Sequence, residues 1–267
     1  MQISIITAVR NAAGTVSDCL ASVARQTVRP EHVIVDGAST DGTLEVLRGW
    51  RGHRLEIVSE PDGGIYEAMN KGLARVTGEV VGILNADDWY ASDRVLEQVR
   101  EAMLDSAVEG CYGDLVYVKA EGRRQKAGGG RERGRERVTR YWRAGEGRAR
   151  SFYWGWMPPH PTYFVRRTVY ERIGGFRLDL GSAADYELML RAMVKHRIRT
   201  VYVPSVWVRM RVGGMSNVTV GNRLQANRMD REAWRVNGLR PHWWTLWMKP
   251  LRKVQQWWVR EIGRAHV

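Results

Sequence analysis

Two adjacent carboxylates, Asp87 and Asp88, follow a short apolar run with no charged residue, Val80-Val81-Gly82-Ile83-Leu84. The run is too short for a helix and is typical of a buried central strand. Because an unpaired carboxylate is costly inside a strand, both acids are expected at its carboxyl end, where open α/β sheets bind ligands. Two acids held there could bind a hard divalent cation. Alternatively, they only precede the next helix, with Ser92 and Asp93 as its cap.

Polar residues also follow three earlier apolar runs. Asn11 comes after the first run, Asp36 ends the second, and Asp62 follows the third, directly before two glycines. Parallel strands present their carboxyl ends at one edge of a sheet, so these side chains and Asn85 are expected to gather there. A nucleotide binds at that edge in such sheets, and the spacing therefore predicts a nucleotide pocket.

The elements that must position these residues alternate regularly. Apolar runs at strand spacing are separated by segments with helical periodicity, which predicts a Rossmann-like, mostly parallel α/β sheet flanked by helices. The predicted order is strand Ile3–Ala8, helix Thr15–Gln26, strand His32–Val35, helix Thr43–Trp50, strand Leu55–Val58, helix Ile65–Val76 and strand Glu79–Leu84.

The second half is less regular. A stretch rich in Gly, Arg and Glu at about 120–150 is interpreted as a flexible, solvated insertion. The other predicted elements are a helix near Arg94–Leu104, strands Cys111–Val118, His160–Val165, Ile198–Val203 and Val206–Val212, and helices Thr168–Ile173, Ala183–His196 and Thr219–Val236.

Charge is distributed unevenly along the 267 residues. Residues 1–100 hold 10 basic and 14 acidic residues, whereas residues 101–267 hold 32 and 15, a balance of +17. This asymmetry predicts an anionic partner for the second half, such as nucleic acid, a membrane surface or a phosphorylated substrate. The two cysteines, Cys19 and Cys111, lie in apolar segments and are expected to be reduced core residues of a cytosolic protein.

The last thirty residues interleave tryptophan with arginine and lysine. Such amphipathic segments suit a membrane interface rich in anionic lipid, although a terminal helix packing its tryptophans on its own domain gives the same pattern. The final residues, Glu261–Val267, resemble the translation of a sequencing adapter and are excluded from functional argument.

The four polar clusters, taken in order, resemble family-2 glycosyltransferases of the GT-A fold. The resemblance covers about Met1 to Arg235. It implies a nucleotide-sugar-binding half at 1–110 and an acceptor-binding half at 111–236. The aromatic, basic C-terminal extension at 237–267 lies outside the resemblance. The residues that carry it are Ala8-Val9-Arg10-Asn11, Asp36 with Gly37–Thr43, Glu60–Tyr66 and Asn85–Asp88.

The resemblance implies roles for residues of the donor pocket. Asp36 would accept a hydrogen bond from the base, and Asp62 would lie near the base and ribose. Asn70 and Lys71 match a common pattern, in which Lys71 faces the diphosphate; a solvated helix face is an equal alternative. The residues implied to line the nucleotide pocket are Thr7, Ala8, Arg10 and Asn11.

Metal and catalytic residues follow from the same resemblance. Asn85-Ala86-Asp87 matches the DXD metal motif with Asn in the first place, which leaves open whether Asn85 contacts the ribose. Binding of Mg²⁺ or Mn²⁺ then falls to Asp87 and Asp88. Asp185 matches the acidic motif of the catalytic base, with Glu187 as the alternative, and the implied outcome is inversion at the anomeric carbon.

The acceptor side is less defined by the sequence. His160 would orient the acceptor or contact phosphate, or it is a structural histidine. The Gln-x-x-Arg-Trp motif of processive members is absent, so one sugar is expected per event. A saccharide or lipid-linked saccharide is the expected acceptor, for a cytoplasmic enzyme that is peripheral on the inner face of the cell membrane.

Two other functions would each explain part of the sequence. A nucleic-acid-binding protein would explain the basic second half, but no zinc, RNP or helix-turn-helix signature is present and nucleic acid is not an expected partner. A nucleotidyltransferase would need a Gly-rich, basic phosphate loop after the first strand, which Arg10–Gly14 matches poorly.

Overall fold

Nine strands form one continuous sheet in the computed structural model, which describes residues 1–121, 135–212 and 220–258. The order across the sheet is β3-β2-β1-β4-β8-β6-β9-β5, and β7 pairs with β6 beside this path. The strands are β1 Ile3–Val9, β2 Glu31–Asp36, β3 Glu56–Ser59, β4 Val80–Ile83, β5 Trp89–Tyr90, β6 Gly110–Glu121, β7 Arg135–Trp142, β8 Phe164–Arg166 and β9 Thr200–Arg211.

The first four strands are parallel and are joined by helices, as the alternation predicts. β1 and β4 are buried along their whole length, which explains their uninterrupted apolar sequences. The α/β, GT-A-like architecture expected from the sequence is thereby confirmed. The helices are α1 Val16–Ala24, α2 Thr43–Gly49, α3 Ile65–Leu73, α4 Val95–Ala102, α5 Arg167–Ile173, α6 Ala184–Leu190, α7 Val220–Val236 and α8 Thr245–Trp258.

The second half of the sheet is mixed and departs from the prediction in two strands. β9 is one strand where two were predicted, and β8 begins only at Phe164 because His160–Thr162 is a 3-10 turn. Proline in this turn cannot donate to a strand ladder, and the Thr162 hydroxyl lies 2.9 Å from the carbonyl oxygens of Gly113 and Pro159.

The predicted flexible insertion at 120–150 is in part a regular strand. β7 pairs antiparallel with β6 from Arg135 opposite Glu121 to Trp142 opposite Leu115. The guanidinium of Arg140 lies over the ring of Tyr117, 4.6 Å from its centroid. The abundance of Gly and Arg across the whole stretch conceals this short run of β-branched and aromatic residues. The glycine run itself, at 128–130, lies outside the described residues.

The C-terminal extension forms α8, which packs against a 3-10 helix, Ala149–Trp154. The Thr245 hydroxyl donates to the Tyr153 carbonyl at 2.8 Å. Within the described ranges, no helix is long and apolar enough to cross a membrane.

Candidate active site

The loops after β1 and β2 are fastened to each other at the carboxyl edge of the sheet. Asn11 adopts a left-handed backbone conformation, with φ of 51°. Its amide nitrogen donates to the Ser39 hydroxyl at 2.8 Å, and its side-chain oxygen accepts from the Thr40 amide at 2.9 Å. Asn11 therefore shapes the rim, where Arg10 is exposed and Ala8 is buried within β1.

Asp36 ends β2 as a fully buried carboxylate with one oxygen unused by the protein. Its Oδ2 accepts hydrogen bonds from the Ser39 amide at 3.1 Å and from the Ser59 hydroxyl at 2.7 Å. Its Oδ1 has no hydrogen-bond partner among the described residues. A buried acceptor of this kind is costly unless a ligand supplies a donor, and the N–H of a nucleotide base would fit.

Asp62 joins the same edge from the loop after β3. Its carboxylate lies over Gly37, where a β-carbon would come within 2.4 Å of Oδ2. Its Oδ1 accepts from the Gly64 amide at 3.0 Å, directly before α3 begins. Asp36 and Asp62, which are far apart in sequence, therefore border one pocket edge.

The two carboxylates after β4 have different surroundings. Asp88 is fully buried, accepts from the Asn85 side-chain amide at 3.0 Å, and accepts from the Arg211 backbone amide at 3.3 Å. Burial, and secondarily the charge of Asp87, raise the pKa of Asp88 well above its usual range. Asp87 itself is half-buried. Asp88 thus holds the loop in place from inside, while Asp87 is open to a ligand.

This edge fits a divalent cation that is held mainly by its substrate. No group of three or more His, Cys, Asp or Glu side chains is arranged to hold a metal in the described part of the chain. Mg²⁺ typically uses one or two carboxylates together with substrate phosphates and water. Asp87 supplies such a carboxylate, and Asn85 donates through its nitrogen to Asp88, which leaves its oxygen for a ligand.

Two predicted donor residues lie in other surroundings. The Lys71 ammonium donates to the Pro61 carbonyl at 2.8 Å and forms ion pairs with Glu60 at 3.1 Å and Glu67 at 3.3 Å. This arrangement corresponds to the solvated-face alternative. Thr7 is fully buried, and its hydroxyl lies 2.9 Å from His32 Nε2. Its side chain therefore packs inside the sheet instead of lining the rim.

Asp185 is half-buried in the first turn of α6, beside Tyr66 and His160. Burial, followed by the charge of Asp185, raises the pKa of the Tyr66 hydroxyl. Burial lowers the pKa of His160, and the charge of Asp185 opposes that shift. A carboxylate, a phenol and an imidazole thus meet where α3 approaches α6.

Glu187, the alternative base, belongs to the protein interior. Its Oε2 pairs with Arg191 at 3.1 Å, and its Oε1 accepts from the Asn237 side-chain amide at 2.8 Å. Both oxygens are therefore engaged, and the side chain is fully buried. Glu187 fastens α6 to Asn237, the residue after α7, which leaves Asp185 as the accessible carboxylate of this helix.

A pair of contacts that the sequence does not reveal supports the residues around Asp185. The side chain of Asn70 donates to the Phe176 carbonyl and accepts from its amide, both at 2.8 Å. The Phe176 ring then contacts Tyr66 and His160, each with ring centroids 5.5 Å apart. Tyr66 and Asn70 are one helical turn apart, which places them on one face of α3, but no local pattern indicates Phe176 as their partner.

Comparison with known proteins identifies the family. A model described as glycosyl transferase family 2 matches residues 4–174. An uncharacterized glycosyltransferase of Mycobacterium tuberculosis is 32% identical over 165 residues, or 61% of this chain and 57% of that protein. A PGL/p-HBAD biosynthesis glycosyltransferase of the same organism is 30% identical over 237 residues, or 81% of this chain and 80% of that protein.

Solved structures show the same fold at lower identity. S. aureus TarS 1-349 in complex with UDP-GlcNAc matches with a TM-score of 0.68 and 19% identity, over 98% of this chain and 73% of that chain. The mannosyltransferase PcManGT from Pyrobaculum calidifontis, in complex with GDP-Man and Mn²⁺, matches with a TM-score of 0.63 and 18% identity, over 100% and 76%. With the sheet edge, the family match and these structures together, the chain belongs to glycosyl transferase family 2 and is a glycosyltransferase of the GT-A type.

Proposed function

We propose that the chain transfers one sugar from a nucleotide-diphosphate sugar to a hydroxyl group of a saccharide acceptor, with inversion at the anomeric carbon. Asp36 and Asp62 bind the nucleoside, Asp87 faces the diphosphate, and Asp185 is the general base. Mg²⁺ or Mn²⁺ is the proposed cofactor. The donors named in the structures of TarS and PcManGT, UDP-GlcNAc and GDP-Man, support a donor of this class.

One observation carries this proposal: α3 connects the nucleotide edge to the candidate base. Asp62 lies over Gly37, next to Asp36, and immediately precedes the helix. Tyr66, in the first turn of the same helix, lies beside Asp185. A donor whose nucleoside contacts Asp36 and Asp62 would therefore extend toward Asp87 and Asp185.

The residues divide the chemical work between binding and proton transfer. Asp185 accepts the proton of the acceptor hydroxyl as its oxygen attacks the anomeric carbon from the face opposite the diphosphate. Tyr66 and His160 lie beside that carboxylate, and the Phe176 ring packs against both. When bound, a divalent cation neutralises the negative charge that develops on the leaving diphosphate.

The proposed class of acceptor is supported by the charge distribution of the chain and by the name of one relative. A lipid-linked saccharide on the inner face of the cell membrane fits the basic second half and the tryptophan-rich extension. The name of one relative places it in PGL/p-HBAD biosynthesis. We accordingly propose a cytoplasmic, peripheral membrane location, and we propose no nucleic-acid partner.

A donor panel tests the proposal. Purified protein is incubated with radiolabelled UDP- and GDP-sugars and Mn²⁺ or Mg²⁺, with and without a saccharide acceptor. Nucleotide release from one donor, increased by an acceptor and abolished in Asp185→Asn, is the expected result. Absence of release and of transfer across the panel, by protein that is folded, would contradict the proposal.

A further inference from the structure

The outer face of α8 exposes a row of large apolar side chains. Trp243 is 82% exposed, Trp247 is 66% exposed and Leu251 is 58% exposed. Residues four apart lie on one helix face, so Trp247 and Leu251 are aligned, and Trp243 occupies the turn directly before the helix. These residues are far more exposed than an apolar side chain in contact with its own domain.

A neighbouring element extends the row. Trp154, at the end of the Ala149–Trp154 helix, is 52% exposed, and its ring centroid lies 5.8 Å from that of Trp244. Trp244 also contacts Trp243 edge to face, with centroids 5.5 Å apart. We name this surface the aromatic ridge. Its members are Trp154, Trp243, Trp244, Trp247 and Leu251.

The opposite face of α8 is firmly attached to the catalytic half. Lys249 forms an ion pair with Asp230 at 2.7 Å, and its ammonium lies 3.7 Å from the ring centroid of Tyr186, the residue after Asp185. Gly155 approaches the α8 backbone so closely that a β-carbon would lie 2.4 Å from the Lys249 nitrogen. The face of α8 that carries Lys249 packs on the catalytic half, so the ridge is the outward surface of the helix.

The charge around the ridge indicates what covers it. The sequence from Leu239 to Trp258 contains four Lys or Arg residues and no Asp or Glu, and one of the four, Lys249, is paired with Asp230 on the opposite face. Arg240 is exposed beside the ridge and Arg252 is half-exposed. A second copy of a chain with net charge +13 would bring like charges together. Exposed tryptophan flanked by cations is suited to an anionic lipid surface instead.

We propose that the aromatic ridge inserts into the interfacial region of an anionic lipid leaflet, with Trp243, Trp247 and Leu251 as the inserting residues. This inference builds on the proposed function, because a lipid-linked acceptor requires the enzyme to reach a membrane. Basic residues beside the ridge attract the lipid headgroups, and the tryptophans add an apolar contribution that salt does not screen. Lys249 and Gly155 fix the inserting helix to the helix that carries Asp185.

Vesicle binding by the full chain tests the surface. Vesicles of phosphatidylglycerol with phosphatidylcholine, or of phosphatidylcholine alone, are sedimented with wild type and with the triple variant Trp243→Ser, Trp247→Ser, Leu251→Ser. The matched control is Leu104→Ser with Val138→Ser, two exposed apolar residues outside the ridge. We expect the triple variant to lose roughly tenfold or more in partitioning to anionic vesicles, given the apolar surface removed, and the control to bind as wild type.

Two further measurements decide the outcome. Brominated acyl chains should quench tryptophan fluorescence of wild type and much less that of the triple variant. Equal sedimentation and equal quenching of both proteins would overturn the proposal. The proposal would also be overturned if wild type is a dimer and the triple variant a monomer, or if the triple variant has a lower melting temperature than wild type. Either result would mean that protein covers the ridge.

The assignment of the ridge and the proposed function can fail separately. Nucleotide release from the donor in the absence of lipid should be unchanged in the triple variant. If no donor is turned over by any protein while wild type alone binds anionic vesicles, the proposed function is wrong and the ridge assignment stands. If turnover is normal and vesicle binding is unchanged by the triple substitution, the ridge assignment is wrong.

Discussion

The donor-side and acceptor-side carboxylates are positioned by different kinds of contact. Asp36 accepts from an amide three residues later, and Asp62 accepts from an amide two residues later. Asp185, by contrast, lies against Tyr66, which belongs to a helix of the first half. The Phe176 ring that packs on Tyr66 is held by a hydrogen bond between Phe176 and Asn70, which are 106 residues apart. The donor edge combines local turns with contacts between adjacent loops, such as the hydrogen bond from the Ser59 hydroxyl to Asp36, whereas the surroundings of Asp185 depend on packing between the two halves of the chain.

This difference predicts a separation of function. Substitutions at Asp36 and Asp62 should change how tightly a nucleotide binds, because these carboxylates are proposed to contact the part of the donor that does not react. Substitutions around Asp185 should change turnover with donor affinity retained, because a base acts in the transition state. The predictions that follow test this separation, beginning with the largest expected effect.

Asp185→Asn should reduce transfer by about 10²–10⁴-fold while donor affinity stays within a factor of about three, since general base catalysis contributes that much to rate and little to binding. Turnover with saturating donor and calorimetric donor affinity are the two measurements. Asp179→Asn is the control, because Asp179 is an exposed carboxylate on the segment before α6 and pairs only locally with Arg177. Normal turnover in Asp185→Asn would place the base elsewhere.

Asp87→Ala should reduce cation-dependent transfer by about 10²-fold or more, because a bound cation contributes several kcal/mol to stabilising a leaving phosphate. The protein should remain folded, since Asp87 is half-buried. Activity is titrated with Mn²⁺ for wild type, Asp87→Ala and the exposed control Asp93→Ala. Full activity of Asp87→Ala in the presence of a chelator would rule out the assignment.

Asp88→Ala separates the two neighbours. It removes the acceptor for the Asn85 side chain and for the Arg211 amide from a buried site. We expect a loss of about 1–3 kcal/mol in unfolding free energy, the usual cost of leaving buried donors unpaired, measured by urea unfolding. Asp87→Ala should unfold as wild type. A fully stable Asp88→Ala without activity would instead support Asp88 as a direct ligand.

The sequence predicts which carboxylates follow the parallel strands, and it does not predict the contacts around Asp185, for a physical reason. A parallel strand shows itself by an uninterrupted apolar run, so the residue after the run, such as Asp36 or Asp87, is placed at the sheet edge by periodicity alone. Distance in sequence hides the partners of Asp185. The sequence also does not show which of Asp87 and Asp88 is buried, because Asp88 contacts the Arg211 amide, 123 residues away on another strand.

The difference at strand β7 has the same origin. The composition of the long segment around it predicts flexibility and outweighs a short strand within it, and pairing with β6 is a long-range event. The sequence leaves two equal roles for Lys71, and the structure pairs its ammonium with Glu60 and Glu67. Patterns that depend on one strand or helix were predictable, and those that depend on two were not.

Asp36→Asn should weaken nucleotide binding by about 10–100-fold, the range expected for a hydrogen bond to a charged group. The side-chain oxygen of Asn would take the two bonds made by Asp36 Oδ2, leaving an NH₂ group where the free acceptor Oδ1 now lies. Titration with UDP and GDP measures the effect. Glu56→Gln, at an exposed position of β3, is the control, and unchanged binding in Asp36→Asn would exclude a contact with the base.

One chain of hydrogen bonds in the donor half also links residues that are distant in sequence. Trp50 Nε1 donates to His53 Nδ1 at 3.1 Å, so His53 carries its proton on Nε2 and donates to His32 Nδ1 at 2.9 Å. His32 Nε2 then donates to the Thr7 hydroxyl at 2.9 Å. Every member is neutral in this arrangement, and a proton added to either imidazole would disrupt it.

The pH dependence of stability tests this chain. Burial, followed by the charge of His53, lowers the pKa of His32 from 6.5 to about 3, and burial together with Arg29 lowers the pKa of His53. Below pH 6.5, His32 therefore binds a proton in the unfolded chain but not in the folded protein. The unfolding free energy contributed by neutral His32 is complete above that pH and decreases as the pH falls toward 3. Between pH 7.5 and 5, His32 should account for a loss of about 2 kcal/mol in unfolding free energy.

Urea unfolding of His32→Asn should therefore show a smaller decrease in unfolding free energy between pH 7.5 and 5 than wild type does, whatever the stability of the variant at pH 7.5. The control His242→Asn, at an exposed position, should follow wild type. Identical pH profiles for His32→Asn and wild type would mean that His32 is not held neutral by this chain of contacts.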